Sequence, residues 1–177
     1  EEIRKYSHVK QLYLNNNNLT DLPDWISDFQ NLEMLSLRHN KFKTIPACIF
    51  TLKKLKTLLI TECNLTYISD QISSLQSLIH LDLYHNQIAA VSDHISKLKS
   101  LKTISLNINN MTHIPSSFSG IPLEIVSMNK NKIEAISDGI TQSKTLRTVY
   151  LSQNNISEIP QDLTDVLLLS YFDLGFN

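Results

Sequence analysis

Histidines and carboxylates spaced by 23 residues are the groups in this chain whose types and spacing suggest chemistry. His39, Glu62 and His85 follow one another at that interval, and His80 and Asp82 lie close to them in the sequence. Two imidazoles that flank a carboxylate could bind zinc, or could make an interaction sensitive to pH. We favour a solvated polar contact patch, because exposed side chains on separate repeats lack the outer hydrogen-bond partners that hold metal ligands.

A hydrolase site made of His80, Asp82 and Ser105 is a weaker alternative. No motif in the sequence supplies an oxyanion pocket or shields these side chains from water. The chain contains only three glycines, so it has no glycine-rich loop of the kind that cradles a phosphate. We therefore predict that the chain is not an enzyme and has no catalytic residue, no cofactor and no bound metal.

The charges of the chain nearly cancel, since 16 Lys and Arg residues stand against 17 Asp and Glu residues. Such a balance does not attract the whole chain to nucleic acid or to an anionic membrane. Lysines cluster within 53–56 and 97–102 without interleaved aromatic residues, which is typical of a soluble rim. No run of about 18 apolar residues could span a bilayer. The expected partner is a protein, with no nucleic acid and no membrane, and the chain on its own is expected to be a monomer.

A sequence unit that recurs along the whole chain positions these residues. Residues 78–88 read L-x-x-L-x-L-x-x-N-x-I, and the asparagine position of this unit returns every 23 residues, with one step of 22. The residues at that position are Asn17, Asn40, Cys63, Asn86, Asn109, Asn131, Asn154 and Asn177. Apolar-x-apolar cores such as Leu81-Asp82-Leu83 precede it and predict short strands with one buried face. A side-chain amide at this position can bond backbone groups and link its turn to the neighbouring repeat.

A second apolar pattern follows each asparagine position and predicts a short helix or 3₁₀ segment in each of seven repeats. In the first repeat it spans residues 22–29, and each repeat carries proline or serine at its second position. Both residue types suit the first turn of a helix. The 22-residue step falls in 119–123, where Gly120 and Pro122 cannot continue a helix, so the fifth segment is expected to be short and irregular.

These units resemble the leucine-rich-repeat superfamily over essentially the whole chain. They look most like the 23-residue subclass of intracellular signalling scaffolds and of bacterial proteins, including secreted effectors. The resemblance implies an α/β solenoid, a curved horseshoe with a parallel concave sheet of about eight short strands and short helical or 3₁₀ segments on the convex side. Residues 1–8 are interpreted as a partial N-terminal cap, in which Ile3 and Tyr6 cover the open apolar end. The repeat domain is predicted over 9–177, with repeats near 9–31, 32–54, 55–77, 78–100, 101–122, 123–145 and 146–168 and a truncated one at 169–177.

The cysteines and the two chain ends bear on location. Cys48 and Cys63 have no C-x-x-C spacing and form no terminal cluster, which favours a reducing compartment. Four Asn-x-Ser/Thr sequons begin just after the asparagine position, so they are interpreted as part of the repeat and not as glycan sites. The chain begins without methionine and stops within a repeat, which suggests a fragment. We predict a cytoplasmic location, or the host cytosol if the protein is a secreted bacterial effector.

In-register stacking of the repeats places equivalent side chains in columns on the concave face, about 4.8 Å apart. The scaffold does not need large or charged side chains in these columns, and Tyr and Arg are frequent interface anchors. The predicted partner-binding residues are Tyr13, Met34, Arg38, His39, Leu59, Glu62, His80, Asp82, Tyr84, His85, Tyr150 and Tyr171. They favour an N-terminal and central footprint, with the last two tyrosines as a second contact.

The predicted function is a non-enzymatic protein-protein interaction module that binds a partner protein through its concave face. A narrower hypothesis is a regulator or inhibitor that covers the active site of an enzyme. Two alternatives stay open. The array could be the substrate-recognition part of a longer kinase, GTPase or ubiquitin ligase, or it could be a structural spacer between other domains.

Overall fold

The computed structural model describes residues 8–177 of the chain. The predicted N-terminal cap, with Ile3 and Tyr6, lies outside the described residues except for His8, which is in a turn. Within the described residues, no helix is long and apolar enough to cross a membrane.

One parallel sheet of eight strands forms one side of the fold, and each strand adds a repeat to the stack. In chain order the strands are β1 (Gln11–Tyr13), β2 (Met34–Ser36), β3 (Thr57–Leu59), β4 (Tyr67–Ile68), β5 (His80–Asp82), β6 (Ala90–Val91), β7 (Thr103–Ser105), β8 (Ile125–Ser127), β9 (Thr148–Tyr150) and β10 (Tyr171–Asp173), of which β4 and β6 form a separate pair. The main strands begin one residue before the apolar-x-apolar cores of the sequence. The predicted parallel sheet of about eight short strands is confirmed.

The core of the stack is built from the middle residue of each strand and the apolar residue two positions later. Leu35, Leu58 and Leu81 lie side by side in the sheet, and each is at most 1% exposed. Burying one such side chain contributes roughly 1.5–3 kcal/mol. Because these side chains are covered by the repeats on both sides, a repeat gains most of its stability from its neighbours.

Short helices return the chain on the side of the core opposite the sheet. The described helices are the 3₁₀ helices Asp24–Asp28, Ala47–Thr51, Asp70–Ser74, Asp93–Lys97 and Ser116–Gly120 and the α-helix α1 (Asp138–Thr141). Each begins just after the predicted proline or serine, and Ser92 and Ser137 accept a hydrogen bond from the backbone N–H two residues ahead. The seventh predicted segment is wrong, since residues 161–170, between Pro160 and β10, form turns and no helix. A short helix depends on packing for its stability. This segment lacks part of that packing, since Leu167 is 85% exposed.

The 22-residue step does not shorten a helix, so the prediction of an irregular fifth segment is wrong. The 3₁₀ helix Ser116–Gly120 is five residues long, like the 3₁₀ helices before it. The link between this helix and the next strand is one residue shorter instead. It spans residues 121–124, whereas the equivalent link of the preceding repeat spans 98–102. At the start of this link Ile121 is extended, with φ −110° and ψ 141°, whereas the equivalent Leu98 has φ −79° and ψ 78°. The more extended backbone covers the same distance with one residue fewer.

The pair β4–β6 uses a backbone N–H that proline could not supply at the start of a helical segment. The backbone N–H of Ser92 donates to the carbonyl of Ile68 at 3.0 Å and continues the pairing of Tyr67 with Ala90. Proline has no N–H to donate, and the neighbouring repeats carry Pro46 and Pro115 at this position. In the described structure, the second sheet lies between the two successive repeats that carry serine at this position.

The asparagine column ties each repeat to the one before it. Asn86 shows the pattern: its side-chain amide donates to the carbonyls of Leu83 at 3.0 Å and of Ile60, one repeat earlier, at 2.7 Å. Its Oδ1 accepts the backbone N–H of Leu65 at 3.0 Å. The same three-way bonding is made by Asn40, Asn109, Asn131 and Asn154, and each of these side chains is buried. We call this column the asparagine ladder.

Cys63 interrupts the asparagine ladder. Its Sγ lies 3.5 Å from the carbonyls of Leu37 and Thr61, the weak equivalents of the amide bonds. Burial raises the pKa of this thiol, and the backbone N–H groups of Asn40 and Phe42 act in the opposite direction. A thiol is a poorer donor and a poorer acceptor than an amide, so the link between the second and third repeats is the weakest of the ladder.

We expect Cys63→Asn to raise the free energy of unfolding by about 1 kcal/mol, because a full set of buried hydrogen bonds replaces the weak thiol contacts. Urea unfolding followed by circular dichroism measures the change. The reverse substitution Asn40→Cys is the matched control and should lower stability by a comparable amount. An unfolding midpoint that does not rise in Cys63→Asn would contradict the assignment of Cys63 as the weakest link of the asparagine ladder.

Candidate functional site

The side of the main sheet opposite the core carries the predicted site residues, and we call it the sheet face. It comprises the residues at positions one, three, five and six counted from the start of each strand. Backbone pairing aligns Gln11, Met34, Thr57 and His80 in the first column, and the bond from the N–H of His39 to the carbonyl of Thr61 keeps the rim in register. The structure therefore brings the predicted columns together.

The outermost column of the sheet face has a backbone conformation that the sequence did not reveal. All eight of its residues have φ between 52° and 60°, namely Asn16, His39, Glu62, His85, Ile108, Lys130, Gln153 and Phe176. Asparagine adopts this left-handed region readily, whereas a β-branched residue such as Ile108 is strained there. The single signal in the sequence is position, since each of these residues immediately precedes the asparagine ladder.

The predicted group of His39, Glu62 and His85 is assembled on this rim. Nδ1 of His39 lies 3.1 Å from Oε2 of Glu62, and Nδ1 of His85 lies 4.0 Å from the same oxygen. Both imidazoles thus face one carboxylate oxygen. Among the described residues, no group of three or more His, Cys, Asp or Glu side chains has an arrangement that could hold a metal ion. The geometry is that of a polar cluster with half-exposed side chains.

A second cluster, which we call the central cluster, crosses the middle of the sheet face and consists of Arg38, Asp82, Tyr84 and His85. Arg38 reaches over β3 to Asp82, two repeats away, with 3.8 Å between Nη2 and Oδ2. Thr61, on the repeat between them, is only 4% exposed. The other carboxylate oxygen of Asp82 accepts the N–H of Tyr84 at 3.2 Å, and the Tyr84 ring meets the ring of His85 edge to face at 5.8 Å. These residues were predicted from the sequence, but the ion pair that spans two repeats was not.

The hydrolase arrangement is not formed. Nδ1 of His80 lies 2.7 Å from Oγ1 of Thr103, and the carboxylate of Asp82 is engaged by Arg38 and by the backbone of Tyr84. Asp82 lies beside Ser105 in the sheet, but no side-chain hydrogen bond joins Ser105 to His80 or Asp82 among the described residues. The three predicted residues therefore have separate partners.

Large side chains also mark both ends of the sheet face. At the N-terminal end the Tyr13 hydroxyl donates to Oε1 of Gln11 at 3.1 Å and lies 3.2 Å from Sδ of Met34, with Leu59 half-buried on the next strand. At the C-terminal end the rings of Tyr150 and Tyr171 lie 5.2 Å apart.

Small polar residues lie between the central cluster and the C-terminal tyrosines. They are Thr103, Ser105, Asn107, Ser127, Asn129 and Thr148. Ile125, which the sequence analysis did not single out, is 38% exposed among them. The sheet face therefore has three groups of large side chains, and a polar region with one exposed isoleucine separates the second group from the third.

Alternating charges line the edge of the sheet face where the strands begin. Oε2 of Glu33 lies 2.6 Å from Nζ of Lys56, and Oε1 of Glu33 lies 3.3 Å from Nζ of Lys10. One carboxylate therefore joins three repeats. Lys102 and Glu124 form a second pair at 2.9 Å further along this edge. Lysines at the helix ends are also engaged within the chain: Nζ of Lys53 donates to the carbonyls of Phe50 and Ser74, Nζ of Lys54 to Oδ1 of Asn31, and Nζ of Lys99 to the carbonyl of Gly120.

These ion pairs change the acidity of both carboxyl groups. The hydrogen bond from Lys56, followed by that from Lys10, holds the pKa of Glu33 below its ordinary value. The hydrogen bond from Lys102 does the same for the pKa of Glu124, and the charge of Arg147 adds to it. Both groups are partly exposed, so salt screens these interactions and each contributes little to stability.

The family model described as "Leucine-rich repeat region" matches residues 1–174 of the chain. The chain belongs to the leucine-rich-repeat family. A solved leucine-rich-repeat protein of Leptospira interrogans is 33% identical, with a TM-score of 0.94, and the alignment covers 99% of this chain and 45% of that one. The predicted family and solenoid fold are confirmed. Leucine-rich repeats commonly mediate protein-protein interaction and are generally non-enzymatic.

Two further relatives show how widely the repeat is used. The plant peptide hormone receptor RGFR1, solved in complex with RGF2, is 28% identical with a TM-score of 0.81, over 97% of this chain and 29% of the receptor chain. Dynein regulatory complex subunit 7 of Chlamydomonas reinhardtii is 43% identical over 44 residues, which are 24% of this chain and 4% of that protein. The leucine-rich-repeat chain thus spans less than half the length of each of these three relatives.

We expect the edge carboxyl groups to make stability depend on pH in a defined direction. Their pKa values are lower in the folded state, so their contribution is fully present above the unfolded pKa and is lost as pH falls through the folded pKa. Lowering the pH from about 7 to about 3 should therefore reduce the free energy of unfolding less in Glu33→Gln, Glu124→Gln than in the original chain. Urea unfolding at each pH measures the difference, and Glu158→Gln on an exposed loop is the control. The same fall in the double variant and the original chain would contradict this account.

Proposed function

We propose that the chain is a non-enzymatic protein-binding module whose sheet face contacts a partner protein. The observation that carries the proposal is the presence of large exposed side chains on a face where the fold requires none. Tyr13 and Tyr171 are 55% and 51% exposed, and Tyr84 is 36% exposed between them. Tyrosine and arginine are the residue types most enriched among interface anchors.

The backbone beneath these side chains supports the proposal, because it is held by bonds within the fold. Each inner strand of the main sheet pairs with both neighbours, the edge strands β1 and β10 pair with one, and the asparagine ladder fixes the turn that carries the rim residues. Anchors on a rigid surface lose little conformational entropy on association. The ion pair of Arg38 with Asp82 further orders the central cluster before a partner binds.

The relatives support the same reading. The plant peptide hormone receptor RGFR1 was solved in complex with RGF2, and PEPR1 was solved with AtPEP1; each is 28% identical to this chain. A bound polypeptide is thus compatible with a repeat array of this type. The same comparison favours one alternative, the recognition part of a longer protein, because this chain spans 29% of the RGFR1 chain and 25% of the PEPR1 chain. The narrower hypothesis of an enzyme inhibitor makes the same use of the sheet face.

We expect the combined variant Tyr13→Ala, Arg38→Ala, Tyr84→Ala, Tyr150→Ala to lose partner binding while keeping the fold. Tyr67→Ala is the matched control, because Tyr67 is 46% exposed but lies on β4, outside the main sheet. Proteins retained from lysate by the original chain are identified by mass spectrometry, and the affinity of the purified partner is then measured for each variant. Removing anchor side chains should weaken binding about tenfold or more.

The unfolding midpoint distinguishes lost contacts from lost structure. Removing the exposed pair of Arg38 and Asp82 costs about 1 kcal/mol or less, so the combined variant should stay folded. Equal affinities for the combined variant and the original chain would contradict sheet-face binding and would favour a structural spacer or binding through another surface.

A further inference from the structure

A shallow concavity of about 180 Å³ lies on the sheet face beside the central cluster. Its lining consists of Tyr84, Asn107, Ile108, Asn129 and Lys130, from three consecutive repeats. We call it the donor pocket, because it presents N–H groups that can donate hydrogen bonds.

The oxygens of both asparagine side chains in the donor pocket are held by the fold. Oδ1 of Asn107 accepts the backbone N–H of Asn129 at 2.7 Å and the hydroxyl of Ser127 at 3.0 Å. Oδ1 of Asn129 accepts the backbone N–H of Ser152 at 2.8 Å. A backbone N–H can only donate, so each oxygen must face the backbone and each amide NH₂ group must be turned away from it.

The donors that result have almost no acceptors within the described residues. The NH₂ group of Asn129 has no acceptor there, and that of Asn107 has only a long contact of 3.4 Å with Oγ of Ser105. The backbone N–H of Asn107 also has no acceptor in the described part of the chain. The equivalent N–H groups of Asn129 and Ser152 bond to the asparagine of the preceding repeat, whereas Tyr84 precedes Asn107 and offers no such oxygen.

The charge of the donor pocket also favours a ligand that accepts hydrogen bonds and is negatively charged. Lys130 is exposed, and no ion pair is found for it among residues 8–177. The acidic group of the central cluster, Asp82, is already paired with Arg38. Ile108 occupies a left-handed conformation at φ 52°, in which its side chain forms part of the pocket wall despite the strain. The pocket thus offers N–H donors and one cation, while the asparagine oxygens are turned away.

We propose that the donor pocket binds the carboxylate of an aspartate or glutamate in an acidic segment of the partner protein. This inference rests on the proposed function of the sheet face and states the chemistry of its partner. Charge-assisted hydrogen bonds from N–H donors to a carboxylate are among the stronger polar interactions. A single lysine balances one carboxylate, whereas a phosphate dianion would keep an uncompensated charge.

A titration with short peptides tests the donor pocket without knowledge of the partner. The probes are the blocked tripeptides Ac-Ala-Glu-Ala-NH₂ and Ac-Ala-Gln-Ala-NH₂, with inorganic phosphate as a third arm. Nitrogen-15 NMR follows the backbone amide of Asn107 and the side-chain amide of Asn129. The glutamate peptide should shift both signals progressively, and the glutamine peptide should leave them in place.

Asn129→Asp gives a nearly isosteric variant for the same titration. Its carboxylate can still accept the N–H of Ser152, but it replaces the outward NH₂ group with an oxygen that repels the probe. We expect affinity for the glutamate peptide to fall about tenfold or more. Asn15→Asp is the matched control, because Oδ1 of Asn15 holds the N–H of Arg38 and the hydroxyl of Ser36 in the same way, outside the donor pocket.

Three results of the peptide titration would overturn the proposal. They are no shift with the glutamate peptide, equal shifts with both peptides, or an unchanged response in Asn129→Asp. Tighter binding of phosphate than of the glutamate peptide would also overturn it, in favour of a phosphoryl ligand. Because the titration needs no partner, its failure is separate from a failure of the sheet-face variant in the affinity measurement.

Discussion

The buried carboxamide of the asparagine ladder is the interaction on which the rest of the structure depends. Each repeat turns sharply after its strand, and the turn exposes backbone carbonyl and N–H groups to an apolar core. One side chain such as Asn86 satisfies carbonyls of its own repeat and of the previous one, and it accepts a backbone N–H of that previous repeat. Buried polar groups without partners are costly, so the same bonds that satisfy the turn also fix the distance and register between repeats.

The ladder determines which residues can carry function. Because the residue before each ladder position is held in the left-handed conformation, the rim residues occupy equivalent places along the sheet. His39, Glu62 and His85 meet there without any local sequence contact between them, and Arg38 reaches Asp82 across the intervening repeat. Side chains that the fold does not use internally thus form a continuous surface. The proposed partner-binding role and the donor pocket both depend on this separation between an inward scaffold and an outward, variable face.

Much of this arrangement was predictable from the sequence, because a fixed period converts directly into position. The apolar residues of each unit predicted the strands, the buried column of Leu35, Leu58 and Leu81, and the neighbours on the sheet face. Features that depend on backbone dihedral angles were not predictable. The left-handed rim, the extended link that absorbs the shorter repeat, and the second sheet made possible by the N–H of Ser92 belong to this class. The donor pocket was missed for a related reason, since an asparagine becomes a pure donor only when the backbone holds its oxygen.

Amide hydrogen exchange in the native state tests the central role of the ladder most directly. The backbone N–H groups of Leu65, Ile88, Met111 and Ile133 each donate to a ladder oxygen. The equivalent N–H of Phe42 faces the Cys63 thiol instead of an amide oxygen. If the carboxamides hold the repeats together, these four amides should share strong protection, and Phe42 should exchange about tenfold faster or more. Equal protection at all five positions would show that apolar packing alone holds the repeats in register, and it would contradict the account.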